Sequence, residues 1–144
     1  MLRLPKRMEE TLILVYGRGR RESEVARELG ISRQAINKFV REGRSRLAEI
    51  FIGVAEVLNA DLVRVKLDRG CAVMRLRQTG IRAYAFYVPG KGPKVVLSAP
   101  LNCSGEARAM CNDVITAIKA WGLGEGCEGS EEEVIKCVLR RLEE

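Results

Sequence analysis

The sequence predicts a helical N-terminal part joined to a C-terminal α+β part, and three observations predict this division. Apolar residues recur every three or four positions up to Leu58, as in amphipathic helices. After Asn59 they alternate with polar residues, which is typical of β-strands. From Ser104 the helical spacing returns. We therefore expect an N-terminal three-helix helix-turn-helix domain, a long linking or dimerisation helix, and a C-terminal antiparallel sheet with two helices.

These changes of pattern set the expected boundaries. Residues 1–46 form the predicted helix-turn-helix domain, residues 47–59 the linking or dimerisation helix, and residues 60–144 an α+β domain for effector binding or oligomerisation. A chain of 144 residues has room for one domain or two small ones. No apolar run approaches the ~20 residues of a membrane helix, and the N-terminus does not resemble a signal peptide. The expected localisation is cytoplasmic, without membrane contact.

The first helix is expected to begin at Pro5, because proline is favoured in the first helical turn. Gly17 and Gly19 end it. Its apolar stripe consists of Met8, Leu12, Val15 and Tyr16.

The second and third helices are joined by a predicted tight turn. Ala26 is small enough for two helices to cross closely, and Gly30 can adopt positive φ after a helix end. Ile36, six residues later, fills the wedge between the helices. Ser32 suits the N-cap of a third helix over residues 33–42. This spacing is typical of a helix-turn-helix, whose second helix lies in the DNA major groove.

The polar face of the third helix suits contact with DNA. Arg33, Gln34 and Asn37 can form hydrogen bonds to base edges, whereas Lys38 and Arg41 suit phosphates. The other predicted DNA-binding residues are Arg20, Arg21, Ser32 and Arg44. The alternative is an ordinary helical hairpin with a solvated basic face.

The net charge of +6 is unevenly distributed. Residues 1–47 hold twelve Lys or Arg and six Glu, whereas the rest of the chain holds thirteen basic and thirteen acidic residues. The whole excess therefore lies on the predicted helix-turn-helix, which favours a polyanion partner, here double-stranded DNA.

The stretch EVARELGISRQAINKFVREGRSRL resembles the helix-turn-helix of sigma-factor region four and of the archaeal Tfx-type regulators, over about residues 5–58. Their pattern is Glu-(Ile/Val)-Ala, two residues, Leu-Gly, a Ser or Thr cap, and a basic recognition helix. Those families usually cap the first motif helix with Ser or Thr, where this chain has Arg21. Either the cap shifts to Ser23 or the helix begins raggedly. The resemblance implies a DNA-binding transcriptional regulator.

A fourth helix is predicted from about Arg44 to Leu58, with Gly43 ending or kinking the helix before it. Ile52 and Val57 widen its apolar face, so it must be covered on several sides. Either it lies between two domains or it pairs with its copy in another subunit. We favour a homodimer, because palindromic operators require two helix-turn-helix units.

Three or four strands are predicted to follow as an antiparallel meander with one buried face. They span about residues 63–67, 72–77, 84–88 and 95–97. A turn near Asp68 would place Arg64 opposite Arg75, with Lys66 and Arg77 on the same outer face. This basic row is a possible site for a small anionic effector or for an acidic surface such as Glu131 to Glu133 of another subunit. The alternative is a solvated face.

Two helices are expected to close the chain, packed on one face of the sheet. Ser104 is the predicted N-cap of the first, which runs to Trp121. A glycine-rich connector follows, and Ser130 with Glu133 fits a capping box at the start of the second.

Five cysteines without CxxC spacing, and the lack of any histidine, argue against a zinc ribbon and a Cys–His catalytic pair. We expect buried thiols. A disulfide is the alternative, because the composition is rich in Arg and poor in Asn and Gln, which suggests a thermophile.

No residue pattern predicts catalysis, a metal site or a cofactor, so an enzyme is not expected. The favoured function is sequence-specific transcriptional regulation. The alternative is an architectural DNA-binding protein or a sigma-like adaptor that contacts the transcription machinery.

Overall fold

The structure is a computed structural model that describes residues 2–98 and 101–144. In these residues the elements follow a helix–sheet–helix order. The helices are α1 (Lys6–Leu12), α2 (Glu22–Leu29), α3 (Arg33–Val57), α4 (Arg108–Ala120) and α5 (Glu131–Leu142). The strands are β1 (Ala60–Lys66), β2 (Cys71–Leu76), β3 (Arg82–Val88) and β4 (Gly92–Leu97). None of the helices described has the length and apolar composition that crossing a lipid bilayer requires.

The predicted three-helix domain with a separate linking helix is wrong. Residues 33–57 form one helix of 25 residues, and Gly43 lies buried inside it. A Cβ at Gly43 would lie 2.7 Å from Leu12 Cδ1, so this glycine allows α1 and α3 to cross closely. Gly43 therefore serves packing rather than helix termination, and the fold is mixed α+β.

The N-terminal helices share their core with the sheet. Met8 and Leu12 of α1, together with Leu47 and Phe51 of α3, belong to the same buried cluster as β2 and β3. A much smaller cluster of Val25, Ala26 and Ile36 holds α2 against α3. Because the apolar stripes of α1 and α3 are used in this way, the first three helices do not form a core of their own. The domain boundaries at 46 and 59 stay a prediction.

The predicted antiparallel meander is confirmed, with strand order β1-β2-β3-β4. Its predicted register is wrong at the first hairpin. Lys66 pairs with Cys71 across the turn, which places Arg64 opposite Val73. A β-bulge between Leu62 and Arg64 then brings Asp61 opposite Arg75. The extra residue of a bulge is left unpaired, so the following side chains change faces.

Helices cover both faces of the sheet, not one as predicted. Tyr84 and Tyr87, three residues apart on β3, project to opposite sides. The Tyr84 hydroxyl donates a hydrogen bond to Glu143 (2.6 Å) after α5, and the Tyr87 hydroxyl donates one to Glu9 (2.6 Å) of α1. Continuous apolar runs in β2 and β3 account for this, since strands buried on both faces do not alternate.

Two disulfides, Cys103–Cys111 and Cys127–Cys137, take the place of the expected buried thiols. Cys71 is the free thiol, and it is buried. The first bridge links the start of α4 to the segment before it. The second links the connector between α4 and α5 to α5 itself.

Candidate nucleic-acid interface

The turn between α2 and α3 has the predicted geometry. Gly30 has φ 68° and ψ 32°, a left-handed conformation that suits glycine. The Ile31 backbone N–H donates to the Ala26 carbonyl (3.1 Å), which closes the end of α2. Ser32 Oγ accepts a hydrogen bond from the Ala35 backbone N–H (3.0 Å), so Ser32 is the N-cap of α3. The turn thus sets where α3 begins.

The start of α2 shows what replaces the missing Ser or Thr cap. The backbone N–H and the Nε of Arg21 both donate to Glu24 Oε1, at 3.4 and 3.0 Å. These bonds, the side-chain one first, lower the pKa of Glu24 below its ordinary value. The carboxylate three residues into the helix therefore holds the helix start at Arg21, and the cap does not shift to Ser23.

The outer face of the first turns of α3 carries the polar residues that the sequence singled out. Arg33, Gln34, Asn37, Lys38 and Arg41 are all exposed, whereas Ile36 on the other side is fully buried. We call these five residues the polar face. With Arg21, Glu22 and Ser23 of the α2 start, they line one open groove. The structure therefore brings most of the predicted DNA-binding residues together.

Most side chains of the polar face form no hydrogen bond or salt bridge with the part of the chain that the structure describes. The Arg41 guanidinium donates to Asn37 Oδ1 at 3.4 Å. Arg33, Gln34 and Lys38 make no side-chain hydrogen bond or salt bridge with residues in the described ranges. Four cations and one carboxylate line the groove, namely Arg21, Arg33, Lys38 and Arg41 against Glu22. The groove is therefore open to an anionic partner.

Arg20 and Arg44, which were also predicted to bind DNA, interact with other side chains of the protein. Arg20 Nη1 contacts Glu28 Oε2 at 2.8 Å. Arg44 Nη1 donates to the Tyr16 hydroxyl at 3.1 Å, and its guanidinium lies 5.6 Å from the centroid of that ring. Neither side chain lines the groove.

In the predicted basic row on the sheet, three of the four side chains, those of Arg64, Arg75 and Arg77, contact other groups of the protein. Arg75 and Arg77 form salt bridges with Asp61, at 3.4 and 2.9 Å, and the bond from Arg77 is the main cause that lowers the pKa of Asp61. Arg64 donates to the backbone carbonyls of residues 142 and 144. Lys66 lies opposite Cys71. Asp61 could not be predicted as a partner from the sequence, because the bulge that brings it opposite Arg75 has no sequence signature.

Comparisons with known proteins give no assignment for this arrangement. No family model, curated protein or solved structure matches the chain. The resemblance of residues 5–58 to sigma-factor region four and Tfx-type regulators stays a prediction. The geometry and charge of the groove are therefore the features from which a function is inferred.

Proposed function

We propose that the chain is a sequence-specific transcriptional regulator that binds double-stranded DNA with the polar face of α3 in the major groove. One observation carries the proposal. A helix end presents five exposed polar or basic side chains outward while Ile36 fixes its inner side.

The chemistry of the polar face suits both parts of DNA recognition. Gln34 and Asn37 can pair with the N6 and N7 edge of adenine, and Arg33 with guanine. Lys38, Arg41 and Arg21 carry charges that suit phosphates on either side. Residues 33–42 rise about 15 Å along the helix axis, which is comparable with the ~12 Å width of the major groove.

The polar face lies on a continuous helix, α3, that is fixed to the core of the protein. Its second half is anchored by Leu47 and Phe51, both fully buried in the main core. Its first half extends from that anchor and is braced by α2 through Val25 and Ile36. A recognition surface on a rigid element loses little conformational entropy when it binds.

We also propose that the chain acts as a homodimer in the cytoplasm. On the second half of α3, Ile52 and Val57 are 48% and 87% exposed, so both can contact another subunit. Phe51 is fully buried within a single chain, so it does not belong to such an interface.

Selection of bound sequences from a random pool of DNA duplexes tests the proposal. A regulator should enrich one site and bind it about 10³-fold or more tightly than unselected DNA at the same salt concentration. An architectural protein or sigma-like adaptor would bind without enriching a site, or would not bind DNA alone. Either of those results would contradict sequence-specific regulation.

A further inference from the structure

A second concave surface has a lining that shares no residue with the groove at the polar face. It is a cleft of about 950 Å³ between the π-helical turn Ile13–Gly17, which follows α1, and the connector between α4 and α5. Its two sides meet through backbone. A Cβ on Gly17 would overlap the Ala120 carbonyl, and a Cβ on Gly122 would lie 2.8 Å from the Gly17 carbonyl oxygen. Two glycines therefore allow the N-terminal and C-terminal walls to approach closely.

Three cations from three separate segments line this cleft. Arg18 follows the π-helical turn, Arg69 lies between β1 and β2, and Lys119 is near the end of α4. Arg69 Nη1 donates to the Trp121 carbonyl at 3.1 Å, which ties it to the wall. None of the three forms a salt bridge with a residue that the structure describes. Cations gathered without a carboxylate partner repel one another, and an anion between them relieves that repulsion.

The two carboxylates of the lining, Glu125 and Glu131, belong to the connector and to α5. With the Asn112 amide oriented so that its nitrogen faces Glu131, that nitrogen lies 3.2 and 2.6 Å from the two carboxylate oxygens. This bond orients Glu131 but leaves its negative charge in place. The lining therefore holds three cations against two carboxylates, an excess of one positive charge.

The rest of the lining consists of apolar and aromatic side chains together with five glycines. Ile115, Val134 and the Tyr16 ring are half-buried at the cleft. Cys127, also in the lining, is bonded to Cys137 of α5, so the connector wall is fixed to a helix. The volume lies within the ~300–1,000 Å³ range of small-molecule sites, and a preformed wall lowers the entropic cost of binding.

We propose that this cleft binds a small organic anion with an apolar or aromatic body. Its acidic group lies among Arg18, Arg69 and Lys119, and its body packs against Ile115 and Val134. None of these residues belongs to the polar face.

The test uses 1-anilinonaphthalene-8-sulfonate, a fluorescent probe with a sulfonate and an aromatic body, titrated into the full chain with its disulfides intact. We expect saturable binding of one probe per chain. Arg18→Glu and Lys119→Glu should each weaken it about tenfold, because each removes one favourable charge and adds a repulsive one.

Lys6→Glu is the matched control. It makes the same charge change on an exposed residue of α1, about 16 Å along the helix from Gly17. The control should change probe affinity less than twofold. Arg18→Gln and Lys119→Gln, which only remove the charge, cover the case in which a charge reversal lowers the melting temperature. Absence of saturable binding, or equal losses in the control and the cleft variants, would overturn the proposal.

Discussion

Position 70 illustrates how strictly the fold constrains a single residue. Gly70 has φ +58°, and a Cβ there would overlap the ring of Trp121. Trp121 is fully buried, and its Nε1 donates to the Tyr87 carbonyl at 2.8 Å. The turn between β1 and β2 therefore packs its backbone directly on the largest side chain of the core.

Gly70→Ala should lower the free energy of unfolding by about 3 kcal/mol, from the strain of positive φ together with displacement of the indole. Gly80→Ala is the control, because Gly80 also has positive φ (+75°) but has open space around it. It should cost only about 1 kcal/mol. Urea denaturation measures both, and equal losses would show that the Trp121 contact is not tight.

Because Cys71 is the one free thiol in the described residues, counting the cysteines that react with a labelling reagent tests the two disulfides. Burial raises the pKa of the Cys71 thiol to about 12, so little thiolate is present at pH 8. Iodoacetamide at pH 8 should label no cysteine in the native chain and one after denaturation without reductant. After reduction, five should be labelled. Three or five labels without reductant would contradict the pairing, and mass spectrometry counts them.

At the scale of the element, helix ends are where prediction from sequence succeeded best. Gly30, Ser32 and Ser130 were assigned from short-range rules, and all three hold the expected positions. Such rules depend on hydrogen bonds within four residues, so the sequence contains everything they need. Ser104 is an exception, because its side chain makes no cap bond and α4 begins only at Arg108 after a 3₁₀ turn.

Ser130, which caps its helix, and Ser104, which does not, allow the contribution of a cap to stability to be measured. Ser130 Oγ accepts from the Glu133 backbone N–H, and Glu133 accepts in return from the Ser130 backbone N–H, both at 3.2 Å. Ser130→Ala should lower the free energy of unfolding by about 1 kcal/mol. Ser104→Ala should change it by less than about 0.5 kcal/mol. If both cost the same in thermal unfolding, the capping box does not stabilise α5.

Features that depend on distant residues could not be predicted from the sequence. Gly43 indicated a helix break, but its role is to admit Leu12, which lies 31 residues away. The bulge near Val63 and the disulfide partners likewise follow from how strands and helices meet. Residues of the polar face were predicted correctly as an exposed set, because helical periodicity alone determines which side chains lie opposite Ile36. The cleft at Arg18 was missed, since its lining combines the turn after α1, the turn between β1 and β2, and the segment from α4 to α5.

At the scale of the whole molecule, the proposed dimer depends on the apolar residues that α3 leaves exposed. Val57 is 87% exposed, so Val57→Glu should not disturb the core. We expect the wild-type chain to sediment as a dimer at micromolar concentration and Val57→Glu to sediment as a monomer, because a charge in an apolar interface is costly. Ser45→Glu, an exposed position on another side of α3, should leave the dimer intact. A wild type that sediments as a monomer would rule out this interface.

The most direct test of the account is the affinity of Gln34→Ala and Asn37→Ala for the selected duplex and for a shuffled duplex, measured by fluorescence anisotropy at one salt concentration. If the polar face reads bases, each variant should lose about 1–3 kcal/mol on the selected duplex, roughly 5- to 150-fold in affinity, and almost nothing on the shuffled one. Gln78→Ala, an exposed glutamine in the turn after β2, should behave as the wild type on both. Equal losses on the two duplexes, or none on either, would contradict base recognition by α3.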